Sequence, residues 1–470
     1  MEKYFQLKKN GTTVKTEALA GLTTFVTMAY IIIVNPLILT APLYITGNPN
    51  AELIKSSVFT ATCIAAAIGT LIMGIYAKLP FAQAPGMGLN AFFAYTIILG
   101  MGYTFNQALA AVFISGAFFI LITVMGLREK IVQAIPVNIS RAITPGIGLF
   151  IALIGFVNSN LITKNPATMI QLIDFSRYGS TEIYDSAKNL SYGMAVNNAL
   201  LCLIGLFITS ALLIKKVKGS LLTGIILTTL IGIPMGITTI NTGVFKFTMP
   251  TLAPTFFKMD FSGLLGLGSG NFLVIFISAI TVIISCTLID MFDTIGTLIG
   301  TGRKAGLLDK NEQLPQMKKA LMADAVATTV GACLGTSTVT TYIESAAGIA
   351  EGGKTGLSSV VTGLLFLAAI FAAPLFGIVP AAATAPALII VGVMMMASVT
   401  NIDFNELSEA IPAFLTIVLM PFTYSIATGI AAGIISWPLL KISKGQGGNV
   451  PAITYILALL FIVRFAFITH

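Results

Sequence analysis

Long apolar runs separated by short polar connections dominate this chain. They fall near 17–39, 56–77, 82–100, 104–127, 140–157, 193–214, 219–238, 270–299, 319–335, 339–350, 355–376, 384–400, 411–426 and 428–440. Most approach the roughly 20 residues that a helix needs to cross a bilayer, and they are too many and too long to be cores of soluble domains. The pattern therefore predicts an all-α integral membrane protein with fourteen transmembrane segments. Within 411–440, two short helices turning at Thr428-Gly429 are expected rather than one long one, because Lys441 and Lys444 then fall on the side of the other basic loops. The tail 450–463 is short of a span before Arg464 and is expected to lie at the membrane interface.

Two of the segments are short and broken, and they occupy corresponding places in the two halves of the chain. In the third, Gln83-Ala84-Pro85-Gly86-Met87-Gly88-Leu89-Asn90 puts a proline and glycines ahead of a helical pattern, so extended backbone is expected up to Asn90. In the tenth, Gly335-Thr336-Ser337-Thr338-Val339-Thr340-Thr341-Tyr342-Ile343-Glu344 precedes a helical Ala-Ala-Gly run with β-branched and small polar residues. Each reads as a strand followed by a half-helix. Their offset of about 254 residues resembles that between Thr144-Pro145-Gly146 and Thr384-Ala385-Pro386, as two repeats of seven spans would give. An odd number of spans per repeat makes the repeats inverted. Paired interrupted helices in such a fold point to a solute site near the midplane.

Composition and charge sharpen the class. Hydrophobic residues make up 56% of the chain and charged ones 9%, with mean hydropathy +0.94, against roughly 25% charged in soluble domains. The net charge of +8 forms no nucleic-acid face. Its lysines and arginines sit in short loops: Lys3, Lys8, Lys9, Lys15, Lys78, Arg128, Lys130, Lys215, Lys216, Lys218, Arg303, Lys304, Lys310, Lys318 and Lys319 all fall on one side. The alternate connections 158–192 and 239–269 are nearly neutral. The expectation is a multi-pass protein of the inner or plasma membrane with a cytoplasmic N-terminus. Met1 to Thr16 followed by Ala18–Leu39 does not resemble a cleavable leader and reads as a first span. Cys63, Cys202, Cys286 and Cys333 stand singly in apolar stretches, as packing residues rather than metal ligands or disulfides.

Ionisable residues inside apolar runs carry the candidate chemistry, because a carboxylate in the hydrocarbon layer costs at least roughly 2.5–3.5 kcal/mol. In the eighth segment Thr287, Asp290, Asp293, Thr294 and Thr297 recur every three or four residues and line one helical face. Glu344 lies in the broken tenth segment and Asn90 in the third. The alternatives are structural: acids pairing with loop lysines, Glu344 pairing with Lys354, and Asn90 as a plain N-cap. Asp324, close behind Lys318 and Lys319, reads as a solvated helix start. Carboxylates accept hydrogen bonds, so they suit a solute with N–H donors such as a nucleobase edge, and an amide suits an edge carrying both donor and acceptor. A cationic amine also fits, whereas an anion would be repelled. Phe25, Phe92 and Phe292 are available to stack on a flat ring. The only histidine is His470, so a coupled proton inside the membrane must ride on Asp or Glu. No cofactor or metal is expected. Gly300-Thr301-Gly302-Arg303-Lys304-Ala305-Gly306 lacks a Walker spacing, and no nucleophile–base pair suggests an enzyme.

Several longer motifs are similar to those of one family. Thr23-Thr24-Phe25-Val26-Thr27-Met28-Ala29-Tyr30 with Asn35-Pro36, Ala84 to Phe93, Asp290-Met291-Phe292-Asp293-Thr294-Ile295-Gly296-Thr297, and Thr340 to Gly348 resemble the AzgA-like purine permeases of the nucleobase-cation symporter (xanthine/uracil permease) superfamily. The resemblance runs from about residue 15 to 440. It implies the uracil-permease fold, fourteen spans in a 7+7 inverted repeat. The core domain would be 17–127 and 270–376, the gate domain 128–240 and 377–445, with 446–470 an apolar tail. It also implies a purine held by Asn90, Asp290, Asp293 and Glu344; Thr341 and Phe92 are expected to complete the site, and any coupled proton is expected on Asp290, Glu344 and Asp293. The expected function is purine import (guanine/hypoxanthine or adenine) by symport with H+, or with Na+ as the alternative ion. A homodimer is left open. The competing functions are an anion transporter of the related sulfate/bicarbonate class and a channel.

Overall fold

A computed structural model of the chain describes residues 2–126, 136–165, 167–185, 190–239, 251–267, 272–304, 306–309, 314–372 and 378–467. Arg128, Lys130, Lys310 and His470, and the side chains of Arg303, Lys304 and Arg464, lie outside the described residues. Eight helices among those described are long and apolar enough to cross a membrane.

The N-terminal apolar run makes α1 (Val14–Met28) and α2 (Ile31–Ile45), joined by a turn at Ala29–Tyr30. This pair is longer than the expected 17–39. Thr13 starts it early by accepting the Thr16 amide (3.2 Å), and α2 continues through Pro36 and Pro42. α3 (Ala51–Ile72) runs on through one wide turn, Met73–Ala77, and stops at Lys78, whose φ is 60°.

The first interrupted segment follows: β1 (Gln83–Pro85), α4 (Met87–Ala91) and a π-helical stretch, Phe92–Gly100. α5 (Phe105–Val124) opens with a capping box between Thr104 and Gln107. α6 (Val137–Asn158) leads to two hairpins, β2 (Ile162–Asn165) with β3 (Met169–Leu172) and β4 (Ile183–Asp185) with β5 (Leu190–Ser191). Then come α7 (Tyr192–Ile214), α8 (Ser220–Gly232), the 33-residue α9 (Phe272–Lys304) and α10 (Met317–Leu334). The second interrupted segment is β6 (Val339–Thr341) and α11 (Ser345–Ala350). The chain ends with α12 (Gly356–Ala369), α13 (Ala381–Met396), α14 (Leu407–Phe422), α15 (Ile426–Ser443) and α16 (Ala452–Phe467).

Two helices do replace the 411–440 run, but the break is at Thr423–Ser425 rather than Thr428-Gly429. Ser425 explains the difference: its side chain caps α15 by accepting the Thr428 amide, and Tyr424 just before it turns the chain with φ 54°.

The two interrupted segments solve one problem together. Extended backbone in an apolar interior must find partners within the protein. β1 and β6 supply them to each other, antiparallel, with Gln83 opposite Thr341, Ala84 opposite Thr340 and Pro85 opposite Val339. Gly86 N–H to Thr338 O and Tyr342 N–H to Ala82 O, both 3.0 Å, extend the ladder past its ends. Around this crossing the helices pack chiefly in two sets. α1, α3 and α5 lie against α10, α11 and α12; α6 and α7 lie against α8, α13 and α14. Small residues allow the closest approaches: a Cβ on Gly392 of α13 would come within 2.5 Å of Gly148 O on α6.

Candidate substrate site

Where the strands give way to their half-helices, a cavity of about 340 Å³ opens between the two helix sets. That is within the roughly 300–1,000 Å³ of small-molecule sites. One wall comes from the interrupted segments and α9: Gly86 and Met87 at the start of α4, Asp293 and Thr297 one turn apart on α9, and Thr341 and Glu344 around the end of β6. The opposite wall is Thr144 of α6 with Val391, Met395, Ser398 and Asn401 from α13 and the turn after it.

The two cavity carboxylates are held differently. Tyr30, at the α1–α2 turn and 1% exposed, donates its phenol to Glu344 Oε1 at 2.7 Å. Asp293 Oδ2 accepts from the Thr340 hydroxyl at 3.5 Å. Glu344 therefore has a phenol partner from α1–α2, while the Lys354 backbone amide donates to the buried Glu17 at 2.9 Å. The wall offers carboxylate acceptors, a few hydroxyls and the apolar faces of Met and Val. That chemistry suits a flat, partly apolar solute with N–H donors.

Behind this wall lies a second polar layer, fully buried. Asp290, 0% exposed, stands about one turn before Asp293 on α9 but off the cavity lining, and accepts from Thr328 at 3.4 Å. Asp324 is also 0% exposed and ties three elements together. It accepts from Gln83 Nε2 of β1 (3.0 Å), Thr294 of α9 (2.9 Å) and Thr341 of β6 (3.4 Å). The reading of Asp324 as a solvated helix start is thus corrected. α10 begins at Met317, so Lys318 and Lys319 occupy its first turn, while Asp324 is two turns in among buried Ala320, Ala323 and Ala327.

The N-cap alternative for Asn90 does not hold, and the extended backbone expected up to Asn90 ends before the helix start at Met87. Gly86 is the N-cap of α4 and Asn90 lies inside the helix, its amide bonded to Gly86 O (2.8 Å) and its Oδ1 accepting from Ser337 just before β6. Its Nδ2 is buried without a hydrogen-bond partner. Phe92 is fully buried and off the cavity lining, as is Phe292, and Phe25 packs edge-on against Phe366 at 5.2 Å. The rings on the lining are Tyr30 and Tyr342. Of the six residues expected at the site, the cavity wall holds Asp293, Glu344 and Thr341, with Asn90, Asp290 and Phe92 behind it. Tyr30, Thr340 and Gln83 carry no site reading from the sequence, and Asp324 carries only that of a solvated helix start. A tyrosine or threonine costs little in an apolar run, so its placement leaves no mark there.

All four cysteines are free, and among the described residues no group of His, Cys, Asp and Glu is arranged to hold a metal.

Comparison with known proteins follows the same lines. The Permease family model, that of the xanthine/uracil permeases, matches residues 15–432. A permease of Methanocaldococcus jannaschii is 46% identical, with 100% of this chain and 99% of that one aligned. The adenine permease AdeP of Escherichia coli is 39% identical over 100% of this chain and 96% of its own. The guanine/hypoxanthine permease PbuG of Bacillus subtilis is 40% identical over 100% of both. Among solved structures, the transmembrane domain of the cyanobacterial bicarbonate transporter BicA shares the fold, with TM-score 0.57 and 15% identity over 89% of this chain and 97% of that one.

Proposed function

The chain belongs to the xanthine/uracil permease family, and we propose that it imports purine nucleobases across the cell membrane by proton symport. The observation that carries this reading is the pairing of Asp293 and Glu344 on one wall of a cavity lying between two helix sets. In this reading a purine offers its N–H edge to those carboxylates, Thr341 adds a hydroxyl, and Met395 and Val391 cover its faces. Asp290 and Asn90 stiffen the wall from behind, with Phe92 packed beside them. The names of the relatives, which include adenine and guanine/hypoxanthine permeases, support a purine.

The set built on β1, β6 and α9 acts as a core, and the set of α6–α8 with α13–α15 as a gate that rocks against it. Fourteen spans in two inverted repeats of seven fit the antiparallel crossing of β1 and β6, since inversion brings the two interrupted segments together head to tail. Basic loops favour a cytoplasmic N-terminus. The anion-transport alternative shares the fold of BicA, but two carboxylates on the wall oppose an anionic solute.

The test is uptake of radiolabelled purine into cells lacking their own permeases, with adenine, guanine, hypoxanthine and xanthine as competitors and with and without a protonophore. Saturable uptake that collapses with the protonophore is expected. Non-saturable uptake would indicate a channel, and sulfate or bicarbonate uptake in place of purine would overturn the assignment.

A further inference from the structure

A line of oxygen atoms runs from Asp293, on the cavity wall, to two carboxyls that a solute does not reach. Thr340 donates to Asp293 Oδ2 at 3.5 Å, the Thr340 and Thr294 hydroxyls lie 2.8 Å apart, and Thr294 Oγ1 lies 2.9 Å from Asp324 Oδ2. Asp324 in turn is within hydrogen-bonding reach of Asp290. Asp324, Asp290, Thr294 and Thr340 are all at most 1% exposed.

Counting hydrogens along this line shows what it requires. Each link holds one hydrogen. Between Asp293 and Asp324 there are three links, but the two threonine hydroxyls own one hydrogen apiece and an ionised carboxylate owns none. All three links are made only when the carboxyl at one end carries a proton. The Asp324–Asp290 contact imposes the same condition, because two ionised carboxylates repel and neither can donate. Asp290 Oδ1, moreover, is buried and receives no hydrogen bond from any hydroxyl or amide. A charged oxygen left so would cost several kcal/mol, whereas a neutral carboxyl costs far less.

We propose that Asp324, paired with Asp290, holds the coupled proton behind the cavity and exchanges it with Asp293 through the hydroxyls of Thr294 and Thr340. This deepens the symport reading above and rests on it. In the transfer Asp324 gives its proton to the Thr294 oxygen, the Thr294 hydrogen passes to Thr340, and the Thr340 hydrogen passes to Asp293. Both hydroxyls end as they began, and one proton has moved from the buried pair to the wall. Asp324 and Thr294 touch no solute; they act through Asp293. A bound purine and the stored proton thereby occupy separate places, and the two are coupled because both depend on the charge of Asp293.

The experiment uses the full chain in proteoliposomes, with radiolabelled adenine and hypoxanthine as probes. Two quantities are measured: accumulation driven by an imposed proton gradient, and counterflow without a gradient. Thr294→Val breaks the line while keeping Asp324, Asp324→Asn removes the proton store, and Thr294→Ser restores the hydroxyl. The ratio of accumulation to counterflow is expected to fall about tenfold or more in the first two and to return in Thr294→Ser. An unchanged ratio, a parallel loss of both quantities, or a serine variant that behaves like the valine variant would each overturn the relay while leaving purine symport standing. Wild-type vesicles that move neither base, or that ignore the gradient, would overturn the symport reading and the relay with it.

Discussion

Glu344 and Asp293 face the same cavity, yet one is held by a phenol and the other by a hydroxyl that also reaches Thr294. If these carboxylates receive the N–H groups of the solute, Glu344→Gln and Asp293→Asn each replace an acceptor oxygen with a donor and should abolish purine uptake at normal membrane abundance. Tyr30→Phe is milder: it removes one hydrogen bond to a charged group, worth roughly 1.5–3 kcal/mol. It should raise the half-saturating purine concentration about tenfold or more with little change in maximal rate. Uptake assays alongside surface quantification check all three, and normal transport by the Glu344 variant would remove that residue from the site. Asp293 and Glu344 stood out in the sequence because an acid inside an apolar run costs energy that something must offset. Asp324 bears the same cost, but the lysines five and six residues earlier gave it an apparent explanation, and only the start of α10 at Met317 shows it to be deep in the helix. Helical spacing sets Asp290 and Asp293 about one turn apart on α9. Spacing alone does not say which turn meets the cavity, and Asp290 lies in the deeper one.

The crossing of β1 and β6 is tight enough to be tested by a single methyl group. A Cβ added to Gly86 would come 2.4 Å from Thr340 Cγ2, with Leu89 Cδ1 at 3.4 Å the next neighbour. Gly86→Ala should therefore push Thr340 away from Asp293 and Thr294 and cost roughly 1–3 kcal/mol of stability, as overpacking does. Thr340→Ser removes that methyl and keeps the hydroxyl, so the double variant should recover most of both melting temperature and uptake. Additive losses instead would show that the clash is not what matters. The α14–α15 hairpin gives a test by pH. Glu406, at the start of α14, accepts from Lys444 just beyond α15 at 2.7 Å, and the Lys444 and Ser408 hydrogen bonds together hold its carboxyl down at about 2. A depressed carboxylate stabilises above its unfolded value of roughly 4.3 and loses that contribution as pH falls toward 2. Glu406→Gln should accordingly narrow the melting-temperature difference from wild type between pH 6 and pH 3, read by thermal melting in detergent. These elements were legible to different degrees. Proline, glycine and β-branched residues announced both strands, while the hairpin break was placed some four residues late because Gly429 is the obvious turn former. Gly429 is in fact held inside α15, where a Cβ would meet Thr416 O at 2.6 Å.

At the scale of the whole molecule, the two helix sets must separate on one side if the solute is to pass, and the ties between them then decide how easily they part. One such tie is ionic. Lys218, on the turn before α8, lies 2.7 Å from Glu351, which caps α11 only seven residues after Glu344. Next to it Gly219, with φ 68°, seats that turn against α1, where a Cβ would be 2.4 Å from Val26 Cγ1. The lysine belongs to a basic cluster that in the sequence signals only membrane orientation, because its acidic partner is more than a hundred residues away. With side chains 55% and 26% exposed, the pair falls among surface ion pairs worth about 0–1 kcal/mol. It cannot lock the sets together, but it can bias their equilibrium by up to about fivefold. Lys218→Glu should shift labelling of a Ser398→Cys reporter on the cavity wall by about that factor, and the charge swap Lys218→Glu with Glu351→Lys should restore it. Raising the salt to about 1 M, where the Debye length is near 3 Å, should shrink the difference between wild type and the single variant. An effect that ignores salt and is not rescued by the swap would assign the role to the packing of Gly219 on Val26, in which case Gly219→Ala should reproduce it.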